Sequence, residues 1–473
     1  MSRVPEPTAT VELTLFDALS AGVSFGTAWI VKGEIDIPKL EHAVARVIDK
    51  WRLFAGRILR QGDSWVVRIP LGFLPLNYAS YSITTSASDR PLSAYISLPL
   101  PTISSTLPPE LYMPSFLPTS NEEYMHRSHP IVSLHIVQFA LETPTSRPYS
   151  CIGLTLPHGV VDGVGAAYLC RAIVSELSGE DWKVPPLPKE GFNANELQLA
   201  LQSQEFAPKE RPPEINYTRD AATRTPLIKN ELGENVHRTG RIIVIPPNIY
   251  RSFVEDVRSD IEKSDIHNHV TTGDILVAWI LKTMYEADRQ SSQTIMVQSL
   301  ASFRNLFPSL SLNMTESPHN YLSLLPIPLI PVEYIQQKSV ADLSALLSLC
   351  RRSFSEYDVS LFLKQISGII PMVPPSSVVP NSEPIPLVIS NASKWRLIET
   401  DWSKIGAEET ICGYRMLHNY EKAGKDAVQM IGRLDDGSVV LDTILSATHS
   451  RRFEESIKKL TVKYGDKSNT LHI

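Results

Sequence analysis

The chain of 473 residues is 43% hydrophobic and 20% charged, with a net charge of −6 and a pI near 6.1. Its composition is typical of a globular protein, and its length exceeds one ordinary core, which predicts two domains of about 200 residues each. The acidic balance argues against nucleic acid as a partner, because binding to a phosphate backbone requires a surplus of Lys and Arg.

The cysteines and the apolar segments bear on compartment and partners. Cys151, Cys170, Cys350 and Cys412 have neither disulfide nor metal-ligand spacing, so we expect reduced core thiols and no metal site. The first residues lack the apolar run of a signal peptide, and no uncharged stretch is long enough to span a bilayer. These features favour a cytoplasmic protein without a membrane partner.

The first 181 residues mix strand and helix patterns. Pro38 opens a helix whose apolar positions recur at helical spacing through Trp51. Residues 70–130 are rich in proline and serine, which predicts surface loops and short strands. Strands are predicted at 28–31, 65–69 and 131–141.

The segment PHGVVDG at 157–163 contains a His-x-x-x-Asp spacing. Taken alone, this spacing also fits a loop histidine followed by a turn aspartate, and it indicates function only together with the motifs around it. The segment follows an apolar strand at 151–156 and precedes a helix pattern that stops at Gly179, and its two glycines allow a sharp turn between them. A histidine side chain ordinarily titrates near neutral pH, so His158 is a candidate general base towards a hydroxyl. Asp162 is predicted to point into the protein, where an ionised carboxylate requires a cation.

Residues 182–240 are rich in proline and charge, which predicts a crossover linker between an N-terminal domain (1–181) and a C-terminal domain (241–473). In the second half, the dipeptide Asp436-Gly437 indicates a hairpin turn. Strands are predicted at 241–245, 295–300, 322–330, 427–434 and 438–445. Helices are predicted from Pro247, from Thr271 or Thr272, and at 340–366 and 449–459.

Six segments occur in an order and spacing that match a known family: LTLFD at 13–17, WRLFAGR at 51–57, HGVVDG at 158–163, Arg304, Asn320, and SNASKW followed by DWSKIG between 390 and 406. They cover nearly the whole chain. On these residues the sequence resembles the BAHD acyltransferases of plants and fungi, especially the fungal branch that includes the trichothecene 3-O-acetyltransferases.

This resemblance implies a mixed α/β fold with two chloramphenicol-acetyltransferase-like domains in pseudo-repeat. A channel would run between the domains with His158 midway along it. Acyl-CoA would enter from one side as a co-substrate and a small alcohol from the other, with no permanently bound cofactor. A channel that excludes water would protect the thioester from hydrolysis. A monomer is expected.

The resemblance also assigns roles to individual residues. Arg304 matches the arginine that pairs with the motif aspartate, here Asp162, and Gly163 is structural. Ser390 matches the position whose hydroxyl lies near the thioester carbonyl, whereas Ala392 stands where many members have tryptophan. The late motif DWSKIG departs from the plant pattern DFGWG, which is regarded as structural. Independently of the resemblance, Lys394, Arg396 and Lys404 are basic residues that could meet the CoA phosphates, with solvated surface charges as the alternative.

The first functional interpretation is therefore an O-acyltransferase that uses acyl-CoA, with acetyl-CoA as the expected donor, and acts on a hydroxyl of a small secondary metabolite. His158 is the base, and attack is direct because no activated nucleophile is visible at the motif. One alternative is a condensation-domain relative that takes acyl groups from a carrier protein, although Pro157 stands where those domains usually have a second histidine. Another is a protein that has lost acyl transfer and binds a metabolite or catalyses a proton-transfer or cyclisation step.

Overall fold

A computed structural model of the protein describes residues 4–186, 188–206, 238–263, 269–288, 293–307, 314, 317–368, 384–417 and 425–465. The strands in chain order are β1 (Thr8–Glu12), β2 (Ser24–Lys32), β3 (Arg57–Gln61), β4 (Ser64–Pro70), β5 (Ser82–Ala87), β6 (Ile103–Ser105), β7 (Ser133–Gln138), β8 (Tyr149–Pro157), β9 (Gly191–Asn193), β10 (Arg238–Ile245), β11 (Thr294–Ser302), β12 (Leu322–Leu324), β13 (Ile330–Pro331), β14 (Ile385–Asn391), β15 (Glu409–Leu417), β16 (Asp426–Arg433) and β17 (Val439–Ser446).

The α-helices are α1 (Leu15–Ala18), α2 (Ile37–Lys50), α3 (Asn121–Arg127), α4 (Gly163–Ser178), α5 (Glu196–Ser203), α6 (Pro247–Lys263), α7 (Thr272–Tyr285), α8 (Val332–Gln337), α9 (Val340–Ser353), α10 (Glu356–Ile366) and α11 (Ala447–Tyr464). Short 3₁₀ helices occur at Arg52–Ala55, Leu92–Ala94, Pro109–Leu111, Ser393–Trp395 and Ser403–Ile405. None of the helices in the described ranges combines the length and the apolar character needed to cross a membrane. The predicted mixed α/β class is confirmed.

The strands of the described residues form three sheets. Their orders are β3-β4-β1-β9, β15-β2-β8-β7-β5, and β12-β11-β14-β16-β17-β10-β6 with β13 attached to β11. β6, from the first half of the chain, pairs with β10 of the second half. In return, β15 of the second half pairs with β2 of the first. Each half therefore completes a sheet of the other.

The strand that leads to the motif lies in the middle of the five-stranded sheet. β8 pairs antiparallel with β2 and β7, and it is buried from Ser150 onwards. Apolar residues of β2 such as Phe25 and Trp29 pack with α2 and α4 in one core. Burial on both faces accounts for the continuous apolar run before the motif, and it places His158 at the end of a rigid strand.

The second half has its own core, in which α7 and α9 pack against each other and cluster with apolar residues of the large sheet. A further apolar cluster joins the two halves and includes Ala28, Ile242 and Tyr414. We propose that the two predicted domains, 1–181 and 241–473, are units that exchange one strand each. Residues 207–237 of the predicted crossover lie outside the described residues.

Two predicted elements of the second half were wrong in extent. The helix predicted at 340–366 is divided into α9 and α10, because the backbone amide and hydroxyl of Ser355 donate to Asp358 at 3.1 and 2.9 Å and start a new helix. The strand predicted at 322–330 is limited to β12 and to β13 further on, since Pro326 and Pro328 have no amide hydrogen to donate to a ladder.

Glu176 on α4 connects this helix to α2. Its side chain is 7% exposed and accepts hydrogen bonds from Arg46 Nε at 2.8 Å, from Trp182 Nε1 at 2.7 Å and from Lys50 Nζ. Burial by itself raises the pKa of Glu176, but the hydrogen bonds from Lys50, Trp182 and Arg46 outweigh it and lower the pKa to about 2.

We expect the folded protein to lose stability as the pH falls from about 4.5 towards about 2. A carboxylate whose pKa is lower in the folded than in the unfolded chain stabilises the fold above its unfolded pKa, and this contribution disappears as the group becomes protonated. The expected loss is roughly 1–2 kcal/mol, because Arg46 and Lys50 are nearly half exposed and solvent screens them.

Urea unfolding of wild type and Glu176→Gln near neutral pH and near pH 3 measures this contribution. Glu176→Gln should be less stable near neutral pH and should show a smaller decline on acidification. Asp260→Asn is the control, since Asp260 and Lys263 form an exposed pair at 3.4 Å that should contribute little. An unchanged pH dependence in Glu176→Gln would contradict the expectation.

Candidate active site

The motif turn begins where β8 ends at Pro157, and α4 starts at Gly163. Asp162 is the N-cap of α4, and its Oδ1 accepts hydrogen bonds from the backbone amides of Val164 and Gly165, both at 2.9 Å. These contacts satisfy two of the amide groups that the first turn of a helix leaves unpaired. The cap involves only residues two and three positions further along the chain, so the local sequence is sufficient to place Asp162 at the start of α4.

The Asp162 carboxylate also forms a buried ion pair with Arg304. Nη1 of Arg304 donates to Oδ2 at 2.7 Å and Nη2 donates to Oδ1 at 2.9 Å, and the two side chains are 2% and 0% exposed. Nη2 also donates to the carbonyl oxygens of Ser317 and His319, at 3.2 and 2.8 Å. The pair connects the motif to the second half of the chain.

His158 is 7% exposed and is anchored through its backbone. Its amide donates to the carbonyl oxygen of Val23 at 3.1 Å, and its own carbonyl oxygen accepts from Asn320 Nδ2 at 2.6 Å. The imidazole lies edge-on to the ring of Phe25, with the centroids 5.1 Å apart. These contacts fix the histidine from both halves of the chain.

Gly165 was not among the predicted site residues, but the turn depends on it. A methyl group at this position would lie 2.5 Å from the carbonyl oxygen of Pro318, and that carbonyl accepts the backbone amide of Asp162 at 3.0 Å. The close approach requires glycine here. Gly163, the predicted structural glycine, is buried at the start of α4.

A cavity of about 270 Å³ lies between the start of α4 and the large sheet. Its wall includes the first turn of α4 and the start of α7, the end of β14 and the segment that follows β14. His158 is not one of the lining residues. The lining residues that matter for chemistry are Gly163, Val164, Thr271, Gly273, Arg351, Ser390, Asn391, Lys394 and Trp395. Ser390, the predicted hydroxyl donor, and the first turn of α4 therefore line the same cavity.

The predicted cations are separated by the fold. Lys394 lines the cavity, and its Nζ lies 5.5 Å from the ring centroid of Trp395. Arg396 is 73% exposed and pairs with Glu399 at 2.6 Å. Lys404 is exposed and, like Arg396, is not part of the cavity wall.

Arg351 is a cavity residue that the sequence patterns did not indicate. It lies on α9 and donates to Asp274 on α7, from Nη2 at 2.9 Å and from Nε at 3.1 Å. Its side chain is 36% exposed, whereas that of Asp274 is 7% exposed. A cation on a helix has the same pattern in sequence whether it faces solvent or a cavity, so no local signal could have identified it.

The late motif DWSKIG packs against the end of β2, away from the cavity. Trp402 is buried and lies edge-on to Trp29, with centroids 5.1 Å apart. Gly406 has a positive φ of 104°, and a side chain there would collide with the carbonyl oxygen of Glu34. These contacts support a structural role for the motif. Among the described residues, no group of His, Cys, Asp and Glu is arranged to hold a metal ion.

Comparison with solved structures confirms the predicted fold, which several proteins share with this chain over nearly its whole length. TRI101 of F. sporotrichioides, solved with coenzyme A and T-2, matches with a TM-score of 0.63 over 96% of this chain and 98% of that chain, at 13% sequence identity. Vinorine synthase matches with a TM-score of 0.58 over 97% of this chain and 95% of that chain, at 12% identity.

Sequence comparison matches a much smaller part of the chain than structure comparison does. No family model matches the chain. A curated relative, acetyltransferase BOT5 of Botryotinia fuckeliana, is 33% identical over 75 residues. That match spans 16% of this chain and 12% of the relative's length. The chain therefore shares the fold of TRI101 and vinorine synthase, and its own activity is a matter for proposal.

Proposed function

We propose that the protein is an acyl-CoA-dependent O-acyltransferase that transfers an acetyl group to a hydroxyl of a small secondary metabolite. The observation that carries the proposal is the cavity whose wall contains both the first turn of α4 and Ser390. It lies in a fold whose solved examples include TRI101 with coenzyme A and T-2. A donor and an acceptor held in one such space react as if at high local concentration.

In the proposed reaction His158 accepts the proton of the acceptor hydroxyl while that oxygen attacks the thioester carbonyl carbon. A C–O bond forms, and the carbonyl oxygen becomes an oxyanion. When the intermediate collapses, the C–S bond breaks and the departing sulfur of CoA takes the proton from the imidazolium. Such acid–base assistance contributes roughly 10²–10⁴ in rate.

Ser390 is the proposed donor to the oxyanion. It lies near the end of β14 and in the cavity wall. A hydroxyl placed there can donate where negative charge develops, and the loss of one such donor costs on the order of 10²–10³ in rate. Trp395 in the same wall offers an apolar surface for the thioester arm.

Direct attack without an acyl-enzyme is supported by the state of the cysteines. Cys151, Cys170, Cys350 and Cys412 are all buried. Burial raises the pKa of Cys170 and Cys412 to about 12 and raises that of Cys151 as well. A thiol with such a pKa is not a nucleophile near neutral pH, since the thiolate is the reactive form.

Lys394 is the proposed contact for a CoA phosphate. It is an exposed cation on the cavity wall, and an acidic protein requires a local cation to hold a polyanion. The start of α7, capped by Thr271, forms part of the same wall, and a helix N-terminus attracts negative charge.

Incubation with acetyl-CoA and a panel of small alcohols should release free thiol, detected by its reaction with a disulfide dye, only when an alcohol is present.

Lys394→Ala should raise KM for acetyl-CoA with a smaller effect on kcat, because it removes a contact made before and during reaction. Lys404→Ala is the matched control, since Lys404 is exposed outside the cavity wall. Absence of thiol release with every alcohol would count against the proposed activity. Equal effects of the two variants would count against the proposed donor site.

A further inference from the structure

A buried network joins three distant parts of the chain at the backbone of His158. Asn320 donates to Asp17 Oδ1 from its backbone amide at 2.8 Å and from Nδ2 at 2.9 Å. The same Nδ2 donates to the carbonyl oxygen of His158 at 2.6 Å. Asp17 is 0% exposed and Asn320 is 2% exposed. Asp17 and Asn320 are 303 residues apart, and Asn320 and His158 are 162 residues apart.

The carboxylate of Asp17 decides which way the Asn320 amide points. An amide has one donor end and one acceptor end, whereas an ionised carboxylate and a backbone carbonyl only accept. Both neighbours of Nδ2 are acceptors, so a rotated amide would bring oxygen against oxygen at two contacts. Asp17 therefore holds the second N–H of the amide towards His158.

Asp17 is itself held in place by the capping box of α1. Its Oδ2 accepts from the backbone amide and the hydroxyl of Thr14, at 2.9 and 2.8 Å, and Thr14 Oγ1 accepts from the backbone amide of Asp17 at 3.0 Å. Oδ2 of Asp17 accepts the hydrogen bonds of the cap, and Oδ1 accepts those from Asn320. The two functions of the residue can therefore be separated by substitution.

The turn that carries His158 is closely packed at one end and held by an ion pair at the other. The Cα of Gly159 lies against the side chain of Asn121, and a methyl group there would collide with it. The other end of the turn, Asp162, is fixed by Arg304. Between these two points, the backbone amide of His158 donates to Val23 and its carbonyl oxygen accepts from Asn320.

We propose that Asn320, oriented by Asp17, is a positioning residue that fixes the backbone of His158 and thereby the angle at which the imidazole meets the acceptor hydroxyl. The inference rests on the proposed function of His158 as a base. A displacement of about 1 Å at a reacting group costs on the order of 10² in rate. Asn320→Asp, which removes the donors without changing the shape of the side chain, should lower kcat by about 10- to 100-fold, with KM for acetyl-CoA unchanged.

An exchange of the two groups separates positioning from stability. In Asp17→Asn with Asn320→Asp, the new amide at 17 can donate to the new carboxylate at 320. It can no longer accept from the backbone amide of residue 320, and the His158 carbonyl still has no donor. We expect the double variant to regain part of the melting temperature lost in Asn320→Asp and to keep the low kcat. Recovery of kcat together with the melting temperature would overturn the proposal.

Thr14→Val is the structural control, because it removes the cap hydroxyl and leaves the Asn320 side of Asp17 intact. It should lower the melting temperature and retain kcat. If the double variant does not regain melting temperature, Asn320→Ala is compared with Thr14→Val. A kcat loss confined to Asn320→Ala supports positioning, and equal losses overturn it.

A readout without turnover distinguishes failure of this inference from failure of the proposed function. Diethyl pyrocarbonate modifies accessible neutral imidazoles, and peptide mass analysis gives the rate at His158 and at the exposed His42. Asn320→Asp should change the rate at His158 severalfold and leave His42 unchanged, while Thr14→Val should change neither. If wild type transfers no acyl group, the proposed function fails and these rates still decide the inference. An unchanged rate at His158 in Asn320→Asp overturns it.

Discussion

His158→Ala should lower the rate of acyl transfer by roughly 10²–10⁴. The imidazole is the group proposed to take the proton of the acceptor hydroxyl, and alanine at this position cannot accept a proton. The rate of the wild-type enzyme should rise with pH as the imidazole loses its proton, because only the neutral form is a base. The measurement is kcat from thiol release across pH for both proteins.

The binding of CoA should survive this substitution. His158 is not part of the cavity wall that contains Ser390 and Lys394, so the affinity for CoA, measured by calorimetry, should be close to that of wild type. His42→Ala, at an exposed position on α2, is the control and should retain full activity. Full activity in His158→Ala would reduce the motif to a structural turn. Loss of CoA binding in that variant would mean that the histidine shapes the cavity.

Mass spectrometry after incubation with acetyl-CoA alone tests the order of the steps. Direct attack predicts no acetylated protein, because the acyl group leaves the thioester only when the acceptor oxygen arrives. An acetylated residue that disappears on addition of an alcohol would replace direct attack by a two-step mechanism.

Asp162→Asn and Arg304→Met should each destabilise the protein by about 3–5 kcal/mol, because removing one partner leaves the other buried charge without compensation. Asparagine is as good an N-cap as aspartate, so the effect of Asp162→Asn isolates the ion pair from the cap of α4. Activity should fall as well, since the pair holds the turn that carries His158. Urea unfolding measures the loss.

Arg396→Met is the matched control for Arg304→Met. Arg396 also pairs with a carboxylate, that of Glu399, but it is 73% exposed, and an exposed pair contributes at most about 1 kcal/mol. The double variant of Asp162→Asn and Arg304→Met should cost less than the sum of the single variants, because it leaves no buried charge. A loss below about 1 kcal/mol for Arg304→Met would show that the pair does not stabilise the turn.

Local features of this chain were predictable from sequence. Gly179 ends α4 in the left-handed conformation, with φ 71°, and Gly437, with φ 86°, lies in the turn between β16 and β17, as predicted. The motif turn follows a buried strand and precedes a helix, also as predicted. These features depend on backbone preferences and on side chains a few residues apart, so the local sequence is sufficient to produce them.

Prediction from sequence was less successful where the same residue pattern is compatible with two different structures. Residues 340–366 have continuous helical spacing, and the break became visible only through the cap that Asp358 forms with Ser355. Lys394 and Arg396 are two positions apart, yet one lines the cavity and the other pairs with Glu399 in solvent. Helical or turn geometry after β14 sends neighbouring side chains in different directions, and composition does not distinguish them.

The sequence by itself determined the existence of the main strands and helices, but not the extent of those predicted at 322–330 and 340–366. It also determined the turn at His158 and, through family resemblance, which arginine meets Asp162. The tertiary structure alone decided that β6 and β15 cross between the halves, that Arg351 faces the cavity, and that Asp17 orients Asn320 at the carbonyl of His158. A hydrogen bond between residues 162 or 303 positions apart has no periodic trace in the chain. It exists only because packing of the whole fold brings a donor and an acceptor to one buried point.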